Sequence, residues 1–254
     1  MNTLSRRSLL KSMGLTAGAS LFGLPALSLN TNEEIIAKNK PKLMVIGAHP
    51  DDPETMCGGT MILYAQNGFD VVSAYLTKGE GGIEGLSGVE AAKIRTEESI
   101  EACRILQSKP VFLNQIDGKT EINATRYDEI FEFIKTENPD IVITHWPIDS
   151  HCDHRVCSNL VYDAWQQLEK SFILFYGEVE TGTQTQNFIP SHYINISPVL
   201  QTKHAACFCH KSQKIEEEYP LYHQKMEIFR GMEAGCKFAE AFVQQISANN
   251  SLKK

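Results

Sequence analysis

Two periodicities alternate along this chain, and most of its elements fall where one gives way to the other. Leu43 to Ala48 is an unbroken apolar run that reads as a buried strand, stopped by His49-Pro50. From Met56 to Gln66 apolar positions recur at helical spacing, and Asn67-Gly68 supplies the stop. Val71 to Thr77 reads as a second strand, Val89 to Gln107 as a long helix, Val111 to Leu113 as a third strand and Tyr127 to Thr136 as a third helix. Asp140 to Thr144 makes a fourth strand, Cys157 to Leu168 a helix, and Phe172 to Val179 a fifth strand. This alternation predicts an α/β fold, a mainly parallel sheet with helices on both faces. The later chain is less regular: Tyr193 to Ile196 reads as a strand, Val199 to Gln213 and Tyr222 to Glu233 as helices. With no repeats or low-complexity tracts, residues 42–245 are expected to form a single domain.

The first residues lie outside that pattern. Ser5-Arg6-Arg7-Ser8-Leu9-Leu10-Lys11 precedes a mildly apolar stretch rich in Gly, Ala and Ser, and Ala26-Leu27-Ser28 has the small-x-small form of a signal-peptidase site. Residues 1–28 are therefore expected to be a twin-arginine export signal, residues 29–41 a polar linker, and the mature protein periplasmic or extracellular. A net charge of −7 argues against a nucleic-acid or anionic-membrane partner, and cleavage would remove three basic residues and no acid. No apolar run reaches the ~20 residues of a transmembrane span. Seven scattered cysteines, an odd number, do not make a disulfide framework and read as small buried hydrophobes. Cys207-x-Cys209 is the one pair to watch: on a strand the two share a face, on a helix they point apart. The oligomeric state is left open.

The chemistry lies at two strand ends. His49-Pro50-Asp51-Asp52 follows the first strand, and Asp149-Ser150-His151-Cys152-Asp153-His154 follows the fourth. Strands of one parallel sheet open on the same edge, so both loops face one cleft. His49, Asp52 and His154 then form a His-Asp-His metal site with a position left for water, as catalytic zinc needs. Asp51, not required as a ligand, suits a general base. His151 is placed to donate a proton or to hydrogen-bond an oxyanion, and Asp153 is expected to orient it by accepting its other ring N–H. Each residue alone has a plainer reading as a structural histidine, an N-capping aspartate or a solvated acidic pair. Their concurrence at two strand ends points to a metal centre. Zn2+ is the expected metal, because the chemistry needs a Lewis acid without redox; Fe2+ suits the same donors.

Ala48-His49-Pro50-Asp51-Asp52 with His151-x-Asp153-His154 resembles the signature pair of the PIG-L (LmbE-like) metal-dependent de-N-acetylases. Leu76-Thr77-Lys78-Gly79-Glu80-Gly81-Gly82-Ile83, Ala92-x-x-Arg95-x-x-Glu98 and Lys203-x-x-Ala206-x-x-x-His210-x-Ser212-Gln213 also resemble that family's pattern. The resemblance implies a Rossmann-like fold, His49, Asp52 and His154 as ligands, and Asp51 as base. It further implies His151 as acid or oxyanion partner, Asp153 as its orienting carboxylate, Arg95 near the substrate, and removal of the N-acetyl group of an N-acetylglucosamine-containing sugar or glycoconjugate. Two other readings stand beside it: a non-catalytic, metal-containing glycan-binding protein, and an amidase acting on a non-sugar amide. Replacing Asp51 with Asn separates catalysis from mere binding. A nucleotide-binding reading of the glycines at 79–88 is poor, since no G-x-G-x-x-G follows the first strand; a mobile loop beside the site is the simpler account.

Overall fold

The structure, a computed structural model, describes residues 40–246, so the expected signal and nearly all of the expected linker lie outside the described residues. Five parallel strands come first in the chain: β1 (Lys42–Gly47), β2 (Asp70–Tyr75), β3 (Lys109–Phe112), β4 (Ile141–His145) and β5 (Ile173–Gly177). Helices α1 (Asp52–Gln66), α2 (Gly88–Leu106), α3 (Ala124–Glu137) and α4 (Cys152–Gln167) connect them. The remainder is β6 (His192–Asn195), α5 (Leu200–Cys207), α6 (Ile215–Glu218), α7 (His223–Ala234) and β7 (Ala239–Gln244). The sheet order is β3-β2-β1-β4-β5-β7-β6, with β7 antiparallel to both of its neighbours.

Along β1, Met44 and Ile46 belong to a core cluster with Val142 and Leu174 of the sheet, Ile134 of α3, and Leu160 and Trp165 of α4. Leu43 and Val45 are equally buried but alternate to the opposite face, which explains why this strand reads as continuously apolar. Because β2 lies on one side of β1 and β4 on the other, the chain reverses its winding between β1 and β4. A crevice therefore opens at their carboxyl ends.

Several boundaries differ from the sequence reading. Helices α1 and α4 begin four or five residues early, each within its candidate motif, because Pro53 fits the first turn of α1 and His151 caps α4. The helix expected over Val199–Gln213 ends at Cys207 and gives way to a short 3-10 turn at Lys211–Gln213. All seven cysteines are free, with Cys207 buried and Cys209 half-buried. Strand β7 was not expected at all. Its sequence, AEAFVQ, carries Glu240 where a core strand should be apolar.

Glu240 is tolerated because α1 breaks at Cys57, whose φ of −152° is not helical. The break frees the Gly59 and Thr60 N–H groups, which donate to Glu240 at 2.9 and 2.7 Å, and the Thr60 hydroxyl adds a third bond at 2.6 Å. Fully buried Lys203 of α5 lies 2.8 Å from both Glu240 and Glu227 of α7, and Tyr219 also donates to Glu227. This network ties the C-terminal elements to α1, the helix that carries the first candidate motif.

Candidate active site and metal centre

The carboxyl ends of β1 and β4 bring together His49, Asp51, Asp52, His151, Asp153 and His154, and Arg95 of α2 reaches Asp51 from beside them. Asp52 is central. Its Oδ2 accepts the His49 backbone N–H at 2.6 Å and lies 3.3 Å from His49 Nδ1, while its Oδ1 lies 3.4 Å from His154 Nε2. Both imidazoles are backed by carboxylates on their far nitrogens. His154 Nδ1 faces Asp149 at 3.2 Å, and His49 Nε2 faces Asp153 at 3.1 Å and Asp117 at 3.2 Å. Carboxylates behind metal-facing imidazoles fix ring orientation and raise basicity, as metal ligands need.

The electrostatics agree. Burial lowers the His49 and His154 imidazoles, but Asp117, Asp153 and Asp52 hold His49 well above its ordinary value, and Asp52 with Asp149 lifts His154 to about 9. Burial alone would raise Asp52; His154 and His145 instead keep it well below the usual carboxylate range. Surroundings that favour a positive charge on two buried rings also favour a divalent cation between them. His49, Asp52 and His154 are therefore the residues that fit a metal.

Asp51 occupies the one strained backbone position of this loop, with φ +107°, and is held there by Arg95. The guanidinium Nη2 donates to Pro50 O at 2.6 Å and to Asp51 Oδ2 at 3.0 Å. Burial pushes the Asp51 carboxyl up, Arg95 pulls it back and adjacent Asp52 adds repulsion, leaving it at about 6. Arg95 is itself buried, so it positions Asp51 rather than projecting freely into the cleft. The loop at 79–82 wraps around it: a Cβ at Gly79 or Gly82 would collide with the guanidinium, and Gln213 donates to Gly82 O at 3.1 Å. These glycines give clearance, a more definite role than the mobile loop expected.

The expected role of Asp153 is corrected in one respect. Its carboxylate accepts from Thr120 Oγ1 at 2.6 Å, from Gly118 N at 2.8 Å and faces His49, so it orients His49 rather than His151. His151 meets Asp153 only through the backbone, its Nδ1 accepting the Asp153 N–H at 3.3 Å, which leaves Nε2 for the cleft. Gly118-Lys119-Thr120 resembles the close of a phosphate loop, but its Gly118 N–H and Thr120 hydroxyl are taken by Asp153. Burial and the neighbouring His49 and His154 lower the His151 imidazole, so it is neutral near pH 7.

Three site residues were not assigned roles from sequence. Asp149 stands behind His154 and Asp117 behind His49. His145, the last residue of β4, stacks on His154 at 4.0 Å between centroids, and with Asp52 and His154 it presents donor atoms within 4.8 Å of one another. Its Nε2 lies between the Ala48 N–H at 3.0 Å and Asp52 Oδ2 at 3.1 Å, so it is tied to the backbone and to the central carboxylate together. A histidine closing a β-strand carries no local signal of this. His210, in a motif without an assigned role, is completely buried with Nε2 3.5 Å from Glu54, whose other oxygen accepts from Tyr75 OH at 2.5 Å.

The cleft forms a cavity of about 340 Å3, walled on its far side by Glu180, Glu218, Gln213 and His223. Fold and site together define an α/β protein with a carboxylate-rich histidine centre at the switch point of a parallel sheet. A family model described as GlcNAc-PI de-N-acetylase (PIG-L) matches residues 44–165. The diacetylchitobiose deacetylase of Thermococcus kodakarensis is 31% identical over 218 residues, which cover 78% of this chain and 81% of that one. A probable N-acetyl-alpha-D-glucosaminyl L-malate deacetylase 2 of Bacillus cereus is 28% identical, covering 67% and 83%. Among solved structures, the N,N'-diacetylchitobiose deacetylase of Pyrococcus horikoshii superposes with a TM-score of 0.72 at 24% identity, covering 86% of this chain and 94% of that one. The chain belongs to the PIG-L family of deacetylases.

Proposed function

We propose that this protein is a metal-dependent hydrolase that removes the N-acetyl group from an N-acetylglucosamine-containing sugar, releasing acetate. The observation that carries this reading is the convergence of His49 and His154 on Asp52, with Asp51 beside them and needed by none of the three. A divalent cation held there, Zn2+ by preference, supplies Lewis acidity that polarises the amide carbonyl and makes water acidic. Asp51 takes the proton from the attacking water as the O–C bond forms. His151 Nε2 hydrogen-bonds the developing oxyanion, the kind of contact that is often the largest catalytic contribution. The C–N bond then breaks, and the departing amine takes a proton from the Asp51 carboxylic acid. The balance is one water and one amide in, one acetate and one amine out.

The test is acetate release from a panel of N-acetylated sugars by purified protein, with and without chelator. Chelator-sensitive release supports the reading; no release from any sugar sinks it. The Arg6-Arg7 signal supports an exported enzyme, and N-terminal sequencing of the cellular protein decides that: an intact Met1 in the mature pool refutes export.

A further inference from the structure

Three threonines alternate along the turn that follows β5, at positions 181, 183 and 185, and they do different things. The Thr181 hydroxyl donates to Glu178 and the Thr183 hydroxyl to Glu180, so both serve the turn that carries them, and both residues are exposed. Thr185 is 1% exposed and reaches out of the turn. Its Oγ1 accepts the Val179 N–H at 2.9 Å and lies 3.0 Å from Asp149 Oδ2. An ionised carboxylate has no proton to give, so the hydroxyl donates its one proton to Asp149. Asp149 is itself buried, and both of its carboxylate oxygens are taken. Oδ1 accepts the His151 backbone N–H at 2.8 Å and faces His154 Nδ1 at 3.2 Å, while Oδ2, among the described residues, has Thr185 as its donor. His154 Nδ1 is hydrogen-bonded to nothing else. The stance of that ring therefore depends on Asp149, and the stance of Asp149 on a side chain from a separate loop. The main chain keeps the two loops in register. Asp149 and Thr185 form an antiparallel bridge, with the Ser150 N–H donating to Gln184 O and the Gln186 N–H to Ile148 O, both at 3.0 Å. These bonds do not involve the Thr185 side chain, so they survive its replacement.

We propose that Thr185 is a positioning residue for the metal centre: through Asp149 it fixes the His154 ring, and so sets how tightly a cation is held. This rests on the metal-dependent reading above and adds the turn at 179–186 to the centre. The physical basis is the loss that follows removal of the hydroxyl. Without it Oδ2 is a buried carboxylate oxygen with no donor, and the carboxylate turns to recover one, taking the support of the ring with it. Outer contacts of this kind limit the orientations that a ligating imidazole samples, and losing one costs about 10–100-fold in metal affinity. The same turn supplies Val179, Glu180 and Gln184 to the wall of the catalytic cavity, so one hydroxyl ties that wall to the ligand.

The test is Zn2+ affinity, measured on the full chain by competition with a chromophoric chelator, a readout that needs neither substrate nor turnover. His154→Ala identifies the site being titrated. Thr185→Val, close to threonine in shape, should weaken Zn2+ binding about tenfold or more. Thr185→Ser keeps the hydroxyl and should restore most of the affinity. Thr183→Val, in the same turn but facing no ligand, should leave it unchanged. Urea unfolding of the metal-free proteins separates positioning from folding. A merely structural hydroxyl would lower stability in urea and leave the Zn2+ affinity of the folded protein where it was, and that result overturns the proposal. So does Thr185→Ser binding as weakly as Thr185→Val, or Thr183→Val weakening binding as much. Thr185→Ala makes the same comparison if Thr185→Val does not fold. If the wild-type protein binds no Zn2+, the metal-dependent reading fails and this proposal with it, whereas intact wild-type binding and an unmoved Thr185→Val sink this proposal alone.

Discussion

Asp51 and Asp52 are adjacent in sequence and opposite in chemistry. Two histidines hold Asp52 ionised, whereas burial lifts Asp51 towards neutrality, a separation typical of paired acids with different tasks. Asp51→Asn should cut kcat by roughly 10²–10⁴-fold while leaving metal content unchanged; loss of the metal as well would show Asp51 to be a ligand. In the proposed mechanism Asp51 works as the ionised base, so activity falls as pH drops through its pKa, and the acid limb of kcat/KM should lie at or below about 6 once a cation is bound. Arg95 pulls that carboxyl down, so Arg95→Ala should move the limb upward. An unmoved limb would assign the profile to another group.

The glycine loop and the buried Lys203 network act as units. A methyl group at Gly82 has no room beside Arg95, so Gly82→Ala should displace the guanidinium and lose activity with little change in melting temperature. Retained activity would mean that Arg95 can shift without cost to Asp51. Lys203→Met leaves Glu227 and Glu240 buried without their cation, which should cost about 3–5 kcal/mol in urea unfolding. The same network gives an acid dependence. Burial raises Glu227, but Lys203, His204 and Tyr219 outweigh it and hold it at about 2 in the fold. With an unfolded value of 4.5, its contribution is complete above about pH 4.5 and lost as pH falls towards 2. The shift corresponds to roughly 3 kcal/mol. Glu227→Gln should flatten the fall of stability over that interval, and an unchanged slope would place the acid sensitivity elsewhere.

At the scale of the whole molecule, a cation bound to the fold but not to the unfolded chain raises stability by mass action. Chelation should therefore lower the melting temperature of wild type, and His154→Ala should abolish the difference. No helix among the described residues is long and apolar enough to cross a membrane. The antiparallel β6–β7 pair, Lys203 and α7 brace the first motif from behind, so truncation before Ala239 should strip three hydrogen bonds from α1 and lower activity along with stability.

The sequence by itself determined the parallel core and the place of its chemistry. Period and strand-ending residues are local properties, and Leu43–Ala48 or Asp140–Thr144 announce themselves without help from the rest of the chain. Topology then forces His49, Asp52 and His154 to one edge. Tertiary structure alone decided the partners. Asp153 turns to His49 because Thr120 and Gly118 hold it there, His145 becomes a stacked support because Ala48 reaches its Nε2, and Glu240 is accepted in a strand because α1 breaks at Cys57. Each of these depends on a donor brought from at least 33 positions away, and no local pattern encodes such a distance.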